Sequence, residues 1–208
     1  MCSLGSLLRN EEKKTLLDIA RKAIALAVTE GRQLEVAAPQ GALAVSSGAF
    51  VTLRKQRRLC GCIGRLSPLE SLANVVAHCA AAAATEDQRF SRLLGDEVAE
   101  LEIEISVLSQ IQKTEPEDVE AGLHGLVITS NGRRGVLLPQ VAREHRWPVE
   151  RFLEETCRKA GLDANAWKDP ETVVEIFTAE TFSEADFSGS RAENAAATEK
   201  RSGYSSSQ

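Results

Sequence analysis

The spacing of apolar residues along the chain predicts three long helices. The first covers residues 10–31, between a candidate asparagine N-cap and a glycine stop. The second covers about residues 67–84 and opens at Ser67, which begins the capping-box sequence SPLE. The third covers residues 148–161 and carries Cys157 on its apolar stripe, so we expect that thiol to be packing.

Alternating apolar and polar residues predict strands around these helices. AFVTL (49–53) and RLCGCIG (58–64) flank the basic turn RKQRR, which predicts a β-hairpin. ELEIEISVL (100–108) places aliphatic residues on one face and glutamates on the other. GLVITS and VLLP, within residues 125–139, flank Asn-Gly, a dipeptide that suits a tight hairpin turn, and TVVEIF (172–177) is the last strand. Helices and antiparallel hairpins mix without a regular strand–helix–strand repeat, so we predict an α+β fold.

Composition places the chain among globular proteins of a reducing compartment. With 208 residues, 43% hydrophobic and 26% charged, it can bury one sizeable core. A net charge of −5 argues against a nucleic-acid partner, since DNA-binding domains are usually basic. We see no membrane span and no signal peptide in MCSLGSLLRN. The odd count of 5 cysteines suits free thiols, and we predict a cytoplasmic protein.

The apolar pattern divides the chain into three parts. Residues 1–9 form an N-terminal arm and residues 10–183 an ordered domain. Residues 184–208 are rich in serine, alanine and charge, which predicts a disordered tail.

The cysteine-bearing strand is the main candidate for chemistry. Strict alternation would put Cys60, Cys62 and Gly64 on one face. Gly61 and Gly64 admit another backbone or a ligand close to the main chain. Gly64 also precedes a predicted helix N-terminus, where an anion or a thiolate is stabilised. The alternative is that both thiols are small buried hydrophobic groups.

A metal site built from Cys60, Cys62, His78 and Cys79 is a weaker interpretation. The four side chains are soft ligands, but their spacing is not that of a zinc finger. His78 and Cys79 are also adjacent on a helix and project about 100° apart. We therefore predict no metal and no cofactor.

Several separated motifs resemble one known family. Residues 61–64 (GCIG) match the core of the signature of the AMMECR domain family, also called AmmeMemoRadiSam system protein A. Residues 87–90 (DQRF), residues 123–126 (LHGL) and residues 137–168 resemble further segments of that family, in the same order. The resemblance covers about residues 10–183. Cys60 stands where the family signature usually has arginine, so Arg58 or Arg65 would have to replace that charge.

The resemblance implies a fold and a biological setting. It implies a single α+β domain of two unequal lobes, with mainly antiparallel sheets flanked by helices and the signature strand in a cleft between the lobes. It also suggests a pathway shared with a Memo-like protein and a radical S-adenosylmethionine (SAM) protein.

Two hypotheses for function follow. In the first, the protein is a thiol enzyme with Cys62 as nucleophile and His124 as its base, and Gly61, Gly64, Arg65 and Arg89 bind the substrate. In the second, it is a non-catalytic binding or adaptor module for those partners, for a small anion or for a metal, and GCIG is structural. In that case His124 is a hydrogen-bonded loop residue, and Arg89 clamps a carboxylate or carbonyl within the fold.

A row of glutamates offers a further candidate. Glu100, Glu102 and Glu104 would project from one face of the predicted strand. Paired carboxylates can act as acid and base, but the solvated face of a half-buried strand is the simpler interpretation.

Overall fold

The computed structural model describes residues 8–66 and 68–187, and the structural statements below concern these residues. In chain order the helices and strands are α1 (Asn10–Glu30), β1 (Ala49–Lys55), β2 (Arg58–Arg65), α2 (Leu72–Thr85), β3 (Leu101–Leu108), β4 (Gln112–Lys113), β5 (Gly125–Ser130), β6 (Arg133–Leu137), α3 (Pro139–His145), α4 (Val149–Lys159), β7 (Val173–Phe177) and β8 (Ala179–Ser183). None of the helices in the described ranges is long and apolar enough to cross a membrane.

The strands form two sheets, and the α+β prediction is confirmed. The first sheet has the order β2-β1-β3-β8 and the second the order β4-β7-β5-β6. Pairing is antiparallel between β1 and β2, between β5 and β6, and between β5 and β7. Contacts divide the described residues into two compact units, one within residues 8–106 and 181–187, the other with residues 107–180.

Each unit has its own apolar core. In the first unit, the inward side chains of the sheet and the apolar faces of α1 and α2 are fully buried, as at Leu16, Leu53 and Ile105. In the second unit, Phe152 of α4 and Ile128 of β5 belong to one buried cluster. Burying such side chains is the main favourable term in folding.

Both predicted hairpins are confirmed, with two-residue turns. Gln56 and Arg57 have φ angles of 49° and 65°, and Asn131 and Gly132 have φ angles of 49° and 72°. Positive φ at both central positions matches the right-handed twist of the flanking strands. The first turn achieves this without glycine.

The predicted start of the second helix is wrong. The helix begins at Leu72, and the side chain of Ser71 accepts a hydrogen bond from the Asn74 amide at 3.4 Å. Glu70 instead contacts Arg65 and His78, so it does not cap the helix. Ser67 lies outside the described residues.

Two strand predictions also need correction. The pairing of β1 with β2 shifts at Cys60, so the alternation of faces does not extend from Cys62 to Cys60. Glu100 ends the 3-10 helix Gly95–Glu100, and β3 begins one residue later. Glu100 pairs with Lys55 at 3.3 Å and is not part of a strand face.

Helix α3 and strand β8, which are 7 and 5 residues long, were not predicted from the sequence. The 3-10 helix Glu184–Phe187 follows β8 and lies in the segment assigned to the tail. The rest of that segment, and residues 1–7 of the predicted arm, lie outside the described residues.

Candidate functional site

The cysteine-bearing strand, β2, lies at the edge of the first sheet. Cys62 pairs with Thr52 of β1. The backbone N–H and C=O of Cys62 bind groups outside the sheet, as edge-strand groups must when no further strand accepts them.

Asp87 and Arg89 bind that edge. The Cys62 amide donates to Asp87 Oδ2 at 2.8 Å, and Arg89 Nη2 donates to the Cys62 carbonyl oxygen at 2.8 Å. Arg89 also holds Asp87 through two parallel bonds, Nε to Oδ1 at 2.9 Å and Nη2 to Oδ2 at 2.7 Å. We call the Cys62 backbone, Asp87 and Arg89 together the edge clamp. At Cys62, the edge clamp satisfies the outward-facing backbone N–H and C=O of the sheet edge with charge-assisted hydrogen bonds.

The edge clamp holds a carboxylate that is almost out of water. The Asp87 side chain is 4% exposed, whereas that of Arg89 is 56% exposed. Hydrogen bonds from Arg89 and, to a lesser extent, from the Cys62 amide together hold the pKa of Asp87 at about 2, against the effect of burial. Asp87 is therefore ionised at neutral pH.

Both glycines of the signature are explained by close packing. A Cβ added to Gly61 would lie 2.1 Å from the carbonyl oxygen of Ala83 in α2. A Cβ added to Gly64 would lie 2.2 Å from the ring of Phe50. The sequence left two alternatives for the space beside these glycines, another backbone or a ligand. A helix backbone fills it at Gly61, and an aromatic ring fills it at Gly64.

The thiols differ in environment. Thr52 Oγ1 donates to Cys62 Sγ at 3.4 Å, and the Cys62 side chain is half-buried. Burial raises the pKa of Cys60, whose Sγ donates to the Leu53 carbonyl oxygen at 3.3 Å. Burial also raises the pKa of Cys79 to about 11. Neither Cys60 nor Cys79 is set up as a thiolate at neutral pH.

Arg65 belongs to a small charged group at the end of β2. Its Nη1 contacts a Glu70 carboxylate oxygen, and the other Glu70 oxygen lies 2.7 Å from Nδ1 of His78. All three side chains are partly exposed. Arg65 is thus paired within the fold and does not contact Cys62 in any described hydrogen bond.

His124 lies in a tight turn of the second unit, whereas Cys62 lies in the first. Nδ1 of His124 accepts a hydrogen bond from the Glu120 amide at 3.0 Å, and the His124 amide donates to the Glu120 carbonyl at 2.9 Å. Gly122 supports the turn with a φ of 89°. An Nδ1 that accepts from an amide leaves the proton of the neutral ring on Nε2. The remaining nitrogen is then a donor.

The described residues contain no group of three or more His, Cys, Asp or Glu side chains arranged to hold a metal ion. The described cysteines of the metal interpretation, Cys60, Cys62 and Cys79, are free thiols.

Comparison with known proteins settles the family. The sequence profile of the AMMECR1 family matches residues 17–182. The chain belongs to the AMMECR1 family. One relative, the Methanopyrus kandleri protein MK0488, is 37% identical over 196 residues, covering 89% of this chain and 95% of its own. A protein of Methanothermobacter thermautotrophicus is 37% identical over 187 residues, covering 85% and 96%.

A solved structure also confirms the α+β fold. The crystal structure of the uncharacterized protein PH0010 from Pyrococcus horikoshii superposes with a TM-score of 0.81 at 34% identity. The match covers 86% of this chain and 94% of that chain.

Asp87 was not predicted as a site residue from the sequence. In the DQRF segment the predicted ligand-binding residue is Arg89, and the neighbouring carboxylate has no predicted role. An acidic residue two positions before an arginine was the available signal. The 25-residue separation of Asp87 from Cys62 hid the contact with the strand edge.

Proposed function

We propose that this AMMECR1 family member is a non-catalytic binding module in which the GCIG strand is structural. The observation that carries the proposal is the edge clamp, because it occupies the backbone of Cys62 with Asp87 and Arg89. A strand edge held in this way is closed to pairing with another chain at that residue. The strand therefore supports the fold, and partners bind at other surfaces of the protein.

The other groups of the predicted thiol site are also engaged. Gly61 and Gly64 pack against α2 and Phe50, so they serve the fold. Arg89 holds Asp87, although its half-exposed guanidinium leaves positive charge accessible to a small anion. These contacts support the interpretation of GCIG as architecture.

The thiol-enzyme hypothesis remains the second candidate. The hydrogen bond from Thr52 to Cys62 Sγ favours it, since hydroxyl donors stabilise developing negative charge on sulfur. A cysteine nucleophile also needs a base with a free lone pair. His124 directs its Nδ1 lone pair at the Glu120 amide, which argues against it as that base.

The candidate partners are the Memo-like protein and the radical SAM protein that the family resemblance suggested. Purified candidates should be tested by biolayer interferometry against the wild-type chain, Cys62→Ala and the buried-thiol control Cys157→Ala. We expect a complex with at least one partner, and affinities of the two variants within about twofold of wild type, since loss of one half-buried thiol removes little contact area.

Two results would contradict the proposal. One is the absence of any complex with either partner at micromolar concentrations. The other is a complex lost in Cys62→Ala but kept in Cys157→Ala, with the circular dichroism spectra of both variants unchanged.

A further inference from the structure

A pocket in the second unit has no role in the proposal above. It has a volume of about 820 Å³ and lies between the segment after β4 and the segment leading into β7. Ligand pockets typically have volumes of about 300–1,000 Å³. The lining residues used below are Glu115, Glu117, Asp118, Trp167, Lys168 and Thr172.

Two buried polar atoms of the pocket residues lack partners. Trp167 Nε1 and Thr172 Oγ1 are shielded from solvent, and no described residue forms a hydrogen bond with either. A buried donor without an acceptor costs folding free energy. A ligand that brings oxygen acceptors into the pocket recovers that cost once the side chains turn slightly toward it.

The rim of the pocket is acidic. Glu115, Glu117 and Asp118 are adjacent in or next to the 3-10 helix Pro116–Asp118, and none of them has an ion-pair partner among the described residues. Asp169 adds a fourth carboxylate, against Lys113 and Lys168. Unpaired carboxylates around a concave surface attract cations and repel anions.

The indole of Trp167 already interacts with a cation. Lys168 Nζ lies 5.0 Å from the ring centroid. An ammonium at this distance is attracted by the negative face of the ring. Lys168 is otherwise exposed, so its side chain can leave the ring when a stronger cationic ligand arrives.

We propose that this pocket binds a basic peptide segment. A lysine or arginine of the peptide takes the place of Lys168 on the Trp167 ring and is attracted by Glu117 and Asp118. Peptide carbonyls accept from Trp167 Nε1 and Thr172 Oγ1, which a polyamine cannot do because it has no oxygen. The neighbouring strand β4 is the outermost strand of its sheet, so its outer edge suits an extended chain.

The inference goes beyond the proposed function, because it assigns a ligand class to a different site. It does not involve Cys62, Asp87 or Arg89. Failure of the experiment below leaves the partner test of the Cys62 strand unaffected, and failure of that test leaves this site unaffected.

The test is isothermal titration calorimetry of the full chain with the capped peptide GSKRKSG, the acidic peptide GSEDESG and spermidine. We expect binding of the basic peptide alone, weakened by added salt. Glu117→Gln should weaken it about 2–5-fold, as expected for one exposed ion pair. The charge-matched control Glu150→Gln, exposed in the first turn of α4, should leave affinity unchanged.

Two further variants test the ring. Trp167→Phe should weaken binding about 3–10-fold, because phenylalanine has no N–H and a weaker negative face. Lys168→Gln should tighten binding about 2–5-fold, because it removes the internal competitor. Trp147→Phe should keep the ligand-induced change in tryptophan fluorescence, which Trp167→Phe should abolish.

Several results would overturn the inference. One is the absence of binding heat with about 1 mM basic peptide at low salt, and another is spermidine binding as tight as that of the peptide. A third is an affinity of Glu117→Gln for the basic peptide that equals that of Glu150→Gln. Weaker binding in Lys168→Gln would also overturn it, since Lys168 would then assist the ligand. Because Lys168 and Glu117 are exposed, these two variants report on binding even where Trp167→Phe perturbs folding.

Discussion

Replacing Asp87 by asparagine should destabilise the protein through the edge clamp. Asp87 accepts hydrogen bonds from Arg89 Nε, Nη2 and backbone N, and from the Cys62 amide. Asparagine keeps one acceptor oxygen and turns an NH₂ group toward donors. Hydrogen bonds to charged groups contribute about 1.5–3 kcal/mol each. Water can replace part of this at the half-exposed Arg89, so we expect the free energy of unfolding to fall by about 2–3 kcal/mol at pH 7.

The loss of stability in Asp87→Asn should become smaller as the pH falls. The pKa of Asp87 is lowered to about 2 in the folded protein, against about 3.9 in an unfolded chain. Its ionisation therefore contributes stability that is complete above about pH 5 and is lost as pH falls toward 2. After a discount for solvent screening at Arg89, this contribution is about 1–2 kcal/mol, and about half of it should be gone by pH 3.

The assay is urea unfolding followed by circular dichroism between pH 7 and pH 3, for wild type, Asp87→Asn and the control Asp96→Asn. Asp96 is exposed in the first turn of a 3-10 helix, so its variant should stay within about 0.5 kcal/mol of wild type. A loss below about 0.5 kcal/mol in Asp87→Asn at pH 7 would refute the reasoning. So would a difference from wild type that does not shrink on acidification.

Three further predictions follow from packing and charge. Gly61→Ala should lower the free energy of unfolding in urea by at least about 2 kcal/mol, because the added Cβ would lie 2.1 Å from a helix carbonyl oxygen. The control Gly95→Ala, whose Cβ would make only an ordinary contact at 3.5 Å, should change it by less than about 1 kcal/mol. Equal effects of the two variants would contradict this prediction. Arg21→Lys should lower stability by about 1–3 kcal/mol, since lysine cannot reproduce the two bonds to Glu184 and those to two backbone carbonyls, and an unchanged urea midpoint would argue against it. Cys79, buried and with its pKa raised to about 11, should resist iodoacetamide at pH 8 until the protein unfolds; rapid labelling of the native protein, seen by peptide mass spectrometry, would show the opposite.

Most helices and strands of the fold could be predicted from local sequence patterns. Alternation in ELEIEISVL predicted the buried face of β3, because a sheet with one solvated side needs that period. Turn chemistry predicted Asn131-Gly132. The short helix α3 and the strand β8 escaped prediction because their segments are too short for a clear period, and β8 is defined by its pairing in a sheet with distant strands.

The candidate site was harder to predict because its contacts are non-local. The sequence identified Cys62, Gly61 and Arg89 as special positions but could not show what each one contacts. A side chain at position 61 would clash with the backbone of Ala83 in α2, which lies 22 residues further along the chain. The bulge at Cys60 likewise depends on the pairing register of β1 and β2, which the alternation of one strand does not reveal.

The central claim is that Cys62 belongs to a structural strand and is not activated by His124. The most direct test is the rate of iodoacetamide alkylation at pH 7, resolved for Cys62 and Cys60 by peptide mass spectrometry, in wild type and in His124→Ala. Because Nδ1 of His124 is engaged by the Glu120 amide, we predict that the Cys62 rate stays within about twofold. A fall of about tenfold or more in His124→Ala, with the fold intact, would show a working dyad and contradict the account.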